Sequence, residues 1–214
     1  MRVVIIHALP ESIEPTQEAF QEIYPEAELI TLFDEALFKD FKGELTPDLN
    51  NRMVQLINYA ELSKADAIGL ACSVFAPVVE YAQKICKVPI TSSYSPIVEE
   101  ILESSSNIAI ISGVPKTLQD SEYYLQKSAA KFGKTIQTLS VLAEPLMEAM
   151  KNPDPSEYNN ILASTVNNLP IDINDILLSQ FSMSSSLEYL KSNTDKNCFS
   201  PAHSTARWFK KTLN

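Results

Sequence analysis

One cysteine, Cys72, stands at a junction where a thiol could do chemistry. Residues 67–71 before it form a short, apolar, unalternating run typical of a buried parallel strand, and a helical pattern follows it. Ligands of open α/β sheets bind beyond the carboxyl ends of strands. A helix amino terminus there offers free backbone N–H groups, which lower a thiol pKa and attract a carboxylate. Cys72 is therefore the candidate reactive group; the alternative is a small buried apolar residue.

Two polar side chains near predicted strand ends could assist this thiol. Ser73 follows Cys72 directly and could bind a carboxylate through its hydroxyl and backbone N–H, cap the helix, or do both. His7 ends the first predicted strand and could orient a substrate or exchange a proton near neutral pH. The alternative for His7 is a hydrogen-bonded structural histidine.

Several other kinds of site are excluded by composition. The 4 glycines cannot form a GxGxxG or Walker phosphate loop, and no GxSxG elbow is present. His7 and His203 have no second ligand at helical spacing, so no zinc site of the HExxH type is predicted. The 3 cysteines form neither a disulfide framework nor a CxxC knuckle, and we expect reduced thiols. The sequence therefore predicts chemistry without a metal or a cofactor.

The charge balance argues against polyanionic partners. A net charge of -10 and a pI near 4.7 repel nucleic acid and anionic membranes. The apolar run at the amino terminus ends at Pro10, too early for a signal segment or a membrane span. We therefore expect a cytoplasmic protein with no nucleic-acid or membrane partner, and a homodimer as the default assembly.

Strand-like and helical patterns alternate along the chain, which predicts an α/β fold. The helical segments carry apolar residues at spacings of three and four, most clearly after Thr46 and Pro47. The predicted strands are residues 3–7, 28–32, 67–71, 88–91, 107–112, 135–141 and 176–179. The predicted helices are residues 48–64, 74–87, 97–103, 117–132, 158–168 and 204–213.

The cysteine segment, ADAIGLACSVFAPVVEYA at residues 65–82, resembles the first cysteine motif of the aspartate/glutamate/hydantoin racemase superfamily. Segments at residues 6–10, 110–117 and 177–183 follow in the order of that superfamily, so the resemblance covers nearly the whole chain. It implies two pseudo-symmetric flavodoxin-like lobes, each with a mostly parallel sheet flanked by helices, and an active site in the cleft between them. The expected lobes are residues 1–95 with 200–214, and residues 96–199.

The resemblance also implies site residues in the second lobe. Thr117 lies where the family places a carboxylate-binding hydroxyl, although it could simply cap a helix. Gln180 and Ser182 end a strand at the expected substrate site and could hold a carboxylate or an amide. Gln180 also stands where the family carries its second catalytic cysteine, and an amide cannot exchange protons as a thiol does. Cys198 could supply a second thiol but lies well past that strand.

The leading hypothesis is thus a cofactor-independent isomerase or racemase-like enzyme. It would act at the carbon next to the carboxylate of a small amino acid or dicarboxylate, with Cys72 as base or nucleophile. The resemblance implies that a one-cysteine decarboxylase or lyase fits equally well. A non-catalytic protein that binds small carboxylates on the same scaffold is a further alternative, and a hydrolase would need a histidine beside Cys72.

Overall fold

Eight strands and ten α-helices alternate in the computed structural model, which describes residues 1–152 and 154–214. Two units divide this chain: Met1–Pro96 with Ala202–Asn214, and Ile97–Pro201. The boundaries expected from the sequence were 1–95 with 200–214, and 96–199. The helices are α1 Ile13–Ile23, α2 Ala36–Asp40, α3 Pro47–Leu62, α4 Ala76–Ala82, α5 Ser95–Ser104, α6 Pro115–Lys131, α7 Pro145–Ala149, α8 Ser156–Asn167, α9 Leu187–Asn193 and α10 Pro201–Leu213.

The first unit contains a parallel sheet of four strands. They are β1 Arg2–His7, β2 Glu28–Phe33, β3 Ala67–Leu70 and β4 Ile90–Thr91, in the order β2-β1-β3-β4. Branched apolar residues fill β1 and β3, which lie in the middle of the sheet and are buried on both faces. Helix α3 begins after the cap residue Thr46, whose hydroxyl accepts a hydrogen bond from the Leu49 N–H.

Both faces of this first sheet are covered by helices. Ile6 and Leu70 pack with Met53 of α3 in one apolar cluster. On the other face, the Phe209 ring of α10 lies so close to Gly69 that a Cβ atom there would be 3.2 Å from it. The last helix of the chain therefore completes the core of the first unit.

The second unit repeats this topology. Its strands are β5 Asn107–Ser112, β6 Gln137–Leu142, β7 Asp175–Leu178 and β8 Asn197–Phe199, in the order β6-β5-β7-β8, all parallel. The prediction of an α/β fold with two lobes, each built on a parallel sheet, is confirmed. The sequence did not predict β8, which has only three residues.

No helix within residues 1–152 and 154–214 combines the length and the apolar character needed to cross a bilayer.

Candidate active site

Cys72 and Gln180 occupy the same register position in the two units. Ile6 of β1 pairs with Leu70 of β3, and Ile111 of β5 pairs with Leu178 of β7. The next residue donates the same backbone hydrogen bond in both sheets, 3.0 Å from Ala71 N–H to the Ile6 carbonyl and 3.0 Å from Ser179 N–H to the Ile111 carbonyl. Each unit therefore presents a polar side chain two residues beyond a central strand, a thiol in the first and an amide in the second.

Cys72 is buried, with 8% of its surface exposed, and belongs to the apolar cluster beneath α3. Burial raises the pKa of its thiol from 9.0 to about 12, and the backbone N–H of Val74 opposes that rise only in part. The expected lowering of this pKa by a helix amino terminus is therefore wrong. The physical reason is that the chain continues as the 3-10 turn Ser73–Phe75 and then the short helix α4, while the loss of water around the sulfur dominates.

Ser73 is the first residue of that 3-10 turn and is half-buried. The residue at the cap position is Cys72, with extended backbone angles, so Ser73 does not cap the turn. Its hydroxyl therefore has no capping role at this strand end.

His7 ends β1 and is fully buried. Its Nδ1 lies 2.7 Å from the Ser12 hydroxyl, which donates its own hydrogen to the Leu9 carbonyl at 2.7 Å. Nδ1 must therefore carry the ring proton, and the unprotonated Nε2 is buried without a hydrogen-bond partner in the described residues. Burial lowers the pKa of His7 from 6.5 to about 4, so the ring is neutral at pH 7.

His7 and Cys72 do not form a catalytic pair. Side chains alternate along a strand, so His7 faces away from Ile6, which packs in the same cluster as Cys72. The buried Nε2 of His7 makes no hydrogen bond, and its Nδ1 is occupied by Ser12. This geometry removes His7 as the base of a cysteine hydrolase.

In the second unit, the Gln180 amide is held in one orientation. Its Oε1 accepts the Gly113 backbone N–H at 2.8 Å and lies 3.4 Å from the Ser112 hydroxyl, while its Nε2 lies 3.8 Å from the Met147 sulfur. An amide nitrogen cannot face the Gly113 donor, so the oxygen must. The Gln180 amide therefore presents its N–H donors, and its oxygen is already occupied.

The two hydroxyl residues expected beside Gln180 differ in their surroundings. Thr117 is buried in the first turn of α6, whose cap position is Val114, so Thr117 is not the helix cap. Ser182 is half-buried in the 3-10 segment Phe181–Ser186 and hydrogen-bonds to Tyr158. Burial raises the pKa of Tyr158 to about 12, and this hydrogen bond opposes the rise.

Cys198 lies inside β8, where it pairs with Ile176. The matching pair in the first unit is Ile68 with Ile90, so Cys198 occupies an interior strand position and not a strand end. It packs against the apolar core of the second unit, and burial raises its pKa to about 12. Cys198 therefore has the position of a core residue, unlike Cys72.

The contact between Gln180 and the β5 loop was not anticipated from the sequence. Its only signal was Gly113 directly after an apolar strand, a position that permits close approach of another group. A Cβ atom at Gly113 would be 3.3 Å from Gln180 Oε1 and 3.2 Å from the Met147 sulfur. No group of three or more His, Cys, Asp or Glu side chains suited to a metal ion occurs in the described part of the chain.

Solved structures with the same fold are racemases. An allantoin racemase from Klebsiella pneumoniae superposes with a TM-score of 0.79 at 13% identity over 100% of this chain and 87% of that one. An aspartate racemase homologue from Pyrococcus horikoshii gives 0.75 at 17% identity, over 99% and 98% of the two chains. A glutamate racemase from Bacillus anthracis gives 0.73 at 16% identity, over 99% and 80%. The chain has the fold of these racemases.

That likeness confirms, at the level of the fold, the superfamily resemblance of the cysteine segment. No family model and no curated protein sequence matches the chain. The identities of 13% to 17% therefore establish a shared architecture, and the chemistry has to be argued from the side chains of this chain.

Proposed function

We propose that this protein is a cofactor-independent enzyme of the isomerase and racemase type that uses one thiol. It would transfer a proton at the carbon next to the carboxylate of a small amino acid or dicarboxylate, with Cys72 as the acid–base group. The observation that carries the proposal is the register match between Cys72 and Gln180, because it leaves one proton-transferring side chain at two equivalent strand ends.

The reaction step needs no external reagent. The Cys72 thiolate takes the α-hydrogen as a proton, the electron pair of the broken C–H bond moves into an enolate, and the thiol formed then returns a proton to carbon. With a pKa of about 12, the thiolate is a strong base present at roughly one part in 10⁵ at pH 7, a cost of about 7 kcal/mol. We therefore expect the rate to increase about tenfold per pH unit between pH 7 and pH 10.

A single thiol approaches only one face of the substrate carbon, which determines the stereochemical result. Proton return from the same face gives exchange of the α-hydrogen with retention of configuration. Racemisation also requires a proton donor on the opposite face, and an amide such as Gln180 cannot provide it. Exchange should therefore be faster than racemisation.

The test is α-hydrogen exchange in deuterium oxide, followed by proton NMR and chiral chromatography on a panel of amino and dicarboxylic acids. We expect deuterium incorporation that Cys72→Ala abolishes and that Cys198→Ala leaves unchanged. Gln180→Cys gives each unit a thiol at the same register position, and we expect racemisation to increase relative to exchange. Exchange that persists in Cys72→Ala, or its absence for every compound, would contradict the proposal.

A second candidate function is binding of a small carboxylate without turnover. Two observations favour it: burial keeps the Cys72 thiol neutral, and the second strand end carries an amide. A binder is stabilised against heat by a ligand that is recovered unchanged, with no deuterium incorporated, so the same panel separates the two functions.

A further inference from the structure

The end of the second sheet carries a fixed hydrogen-bond donor. Gln180 Oε1 is held by the Gly113 N–H at 2.8 Å, so the amide plane cannot turn without breaking that bond. The Nε2 group has only the Met147 sulfur at 3.8 Å as a protein partner, and a thioether is a weak acceptor. The Gln180 side chain is half-buried, which leaves this amino group accessible to a small molecule.

The charges around this strand end favour a neutral acceptor over a second anion. In the loops that follow the strands of the described second unit, the cations are Lys116 and Lys151. Lys116 pairs with Asp120 at 2.5 Å, and Lys151 pairs with Glu148 at 2.5 Å. A carboxylate brought to Gln180 would find no uncompensated positive charge there, and a neutral amide donor compensates an anion poorly when both are removed from water.

We propose that Gln180 is a specificity-determining residue whose Nε2 group binds a neutral carbonyl oxygen of the ligand and discriminates against a second carboxylate. The ligand class is then a small monocarboxylate that also carries an amide-type carbonyl. This inference rests on the proposed function only for the carboxylate that the ligand shares with its diacid counterpart.

Gly113 is the positioning residue for this donor. A Cβ atom at Gly113 would be 3.3 Å from Gln180 Oε1 and 3.2 Å from the Met147 sulfur, so Gly113→Ala displaces the amide and leaves its chemistry intact. Gln180→Glu is nearly isosteric and keeps the acceptor that faces Gly113, but it replaces the outward donor by an oxygen. The two variants separate the position of the donor from its chemical nature.

The experiment measures dissociation constants by thermal shift for three matched pairs of probes: L-asparagine and L-aspartate, L-glutamine and L-glutamate, succinamate and succinate. We expect the amide member of at least one pair to bind about threefold to tenfold more tightly than its diacid, the contribution of one hydrogen bond. Gln180→Glu should abolish or reverse this preference and Gly113→Ala should reduce it. Gln126→Glu, an exposed site in the same unit, adds the same charge and should leave the preference unchanged.

Equal or tighter binding of the diacids by the unmodified protein overturns the inference, and so does the absence of binding by all six probes. A preference that survives Gln180→Glu overturns it as well. Because binding is measured without turnover, Cys72→Ala should retain the preference. Amide preference without α-hydrogen exchange would leave this inference standing and remove the proposed function, and exchange without amide preference would do the reverse.

Discussion

Loss of water fixes the protonation of both titratable side chains at the strand ends of the first unit. It raises the pKa of Cys72 to about 12 and lowers the pKa of His7 to about 4, so both groups are neutral near pH 7. Neither has a charged partner that would offset the effect of burial. Any reaction at this end of the sheet must therefore start from a neutral thiol and a neutral imidazole.

The pKa of His7 predicts a loss of stability in acid. The folded-state pKa of about 4 is below the ordinary value of 6.5, so the unfolded chain takes up the proton first as the pH falls. The stabilisation is fully present above pH 6.5 and is lost as the pH falls through 4, with a magnitude of about 3 kcal/mol at most. Urea unfolding between pH 7 and pH 4 should show this slope, and His7→Asn should remove it.

The appropriate control for this experiment is His203→Asn. His203 lies 3.3 Å from Glu22, so the second histidine of the chain has a carboxylate neighbour. An acid slope in His7→Asn as steep as in the unmodified protein would show that other groups cause the loss of stability.

The strands and helices follow from local pattern, and the exceptions have physical causes. Seven predicted strands occur because each contains a run of buried apolar residues, whereas β8 offers only Asn197, Cys198 and Phe199. Helix α1 was missed because Pro15 and several polar residues obscure its apolar face. The strand-end positions of His7 and Cys72 could be predicted, but the pKa values could not, because burial depends on packing between distant segments.

Gly69 is the point where β3, β1 and α10 approach most closely. A Cβ atom at this position would be 2.6 Å from Ile5 Cδ1 and 3.2 Å from the Phe209 ring. We expect Gly69→Ala to lower the free energy of unfolding by about 1–3 kcal/mol, because overpacking forces neighbouring side chains to move. Urea unfolding measures the change.

Gly133→Asn is the matched control for the Gly69 substitution. Gly133 has a φ of 66° and open space around it, and asparagine tolerates this left-handed conformation better than other side chains. Its unfolding free energy should stay close to that of the unmodified protein. Equal effects of the two substitutions would rule out crowding at Gly69 as the cause.

The first unit is discontinuous in the chain, because α10 belongs to it although the whole second unit comes before. Phe209 is fully buried and packs against Phe20 of α1 with 6.1 Å between ring centroids. The Lys210 ammonium group donates a hydrogen bond to the Ile23 carbonyl at 2.8 Å. The last helix thus joins the first unit by apolar packing and by a polar contact at the end of α1.

Phe209→Ala should therefore destabilise the first unit by about 3–5 kcal/mol, the usual cost of removing a buried aromatic ring. Trp208 is the 1 tryptophan of the chain, so its fluorescence reports directly on the unfolding of α10. Thr212→Ala, at an exposed position of the same helix, should leave the midpoint of the transition unchanged. A shift as large in Thr212→Ala would contradict the role of Phe209.

The place of α10 in the chain also fixes the order in which the two units can mature on the ribosome. Residues of the second unit emerge together and can fold as soon as Phe199 and Ser200 have left the exit tunnel. The first unit has its strands made earlier but stays without Phe209 until the end of this sequence has been translated. During that interval the face of β1 and β3 that α10 will cover is a nascent apolar surface, the part of this protein that a chaperone would have most reason to hold.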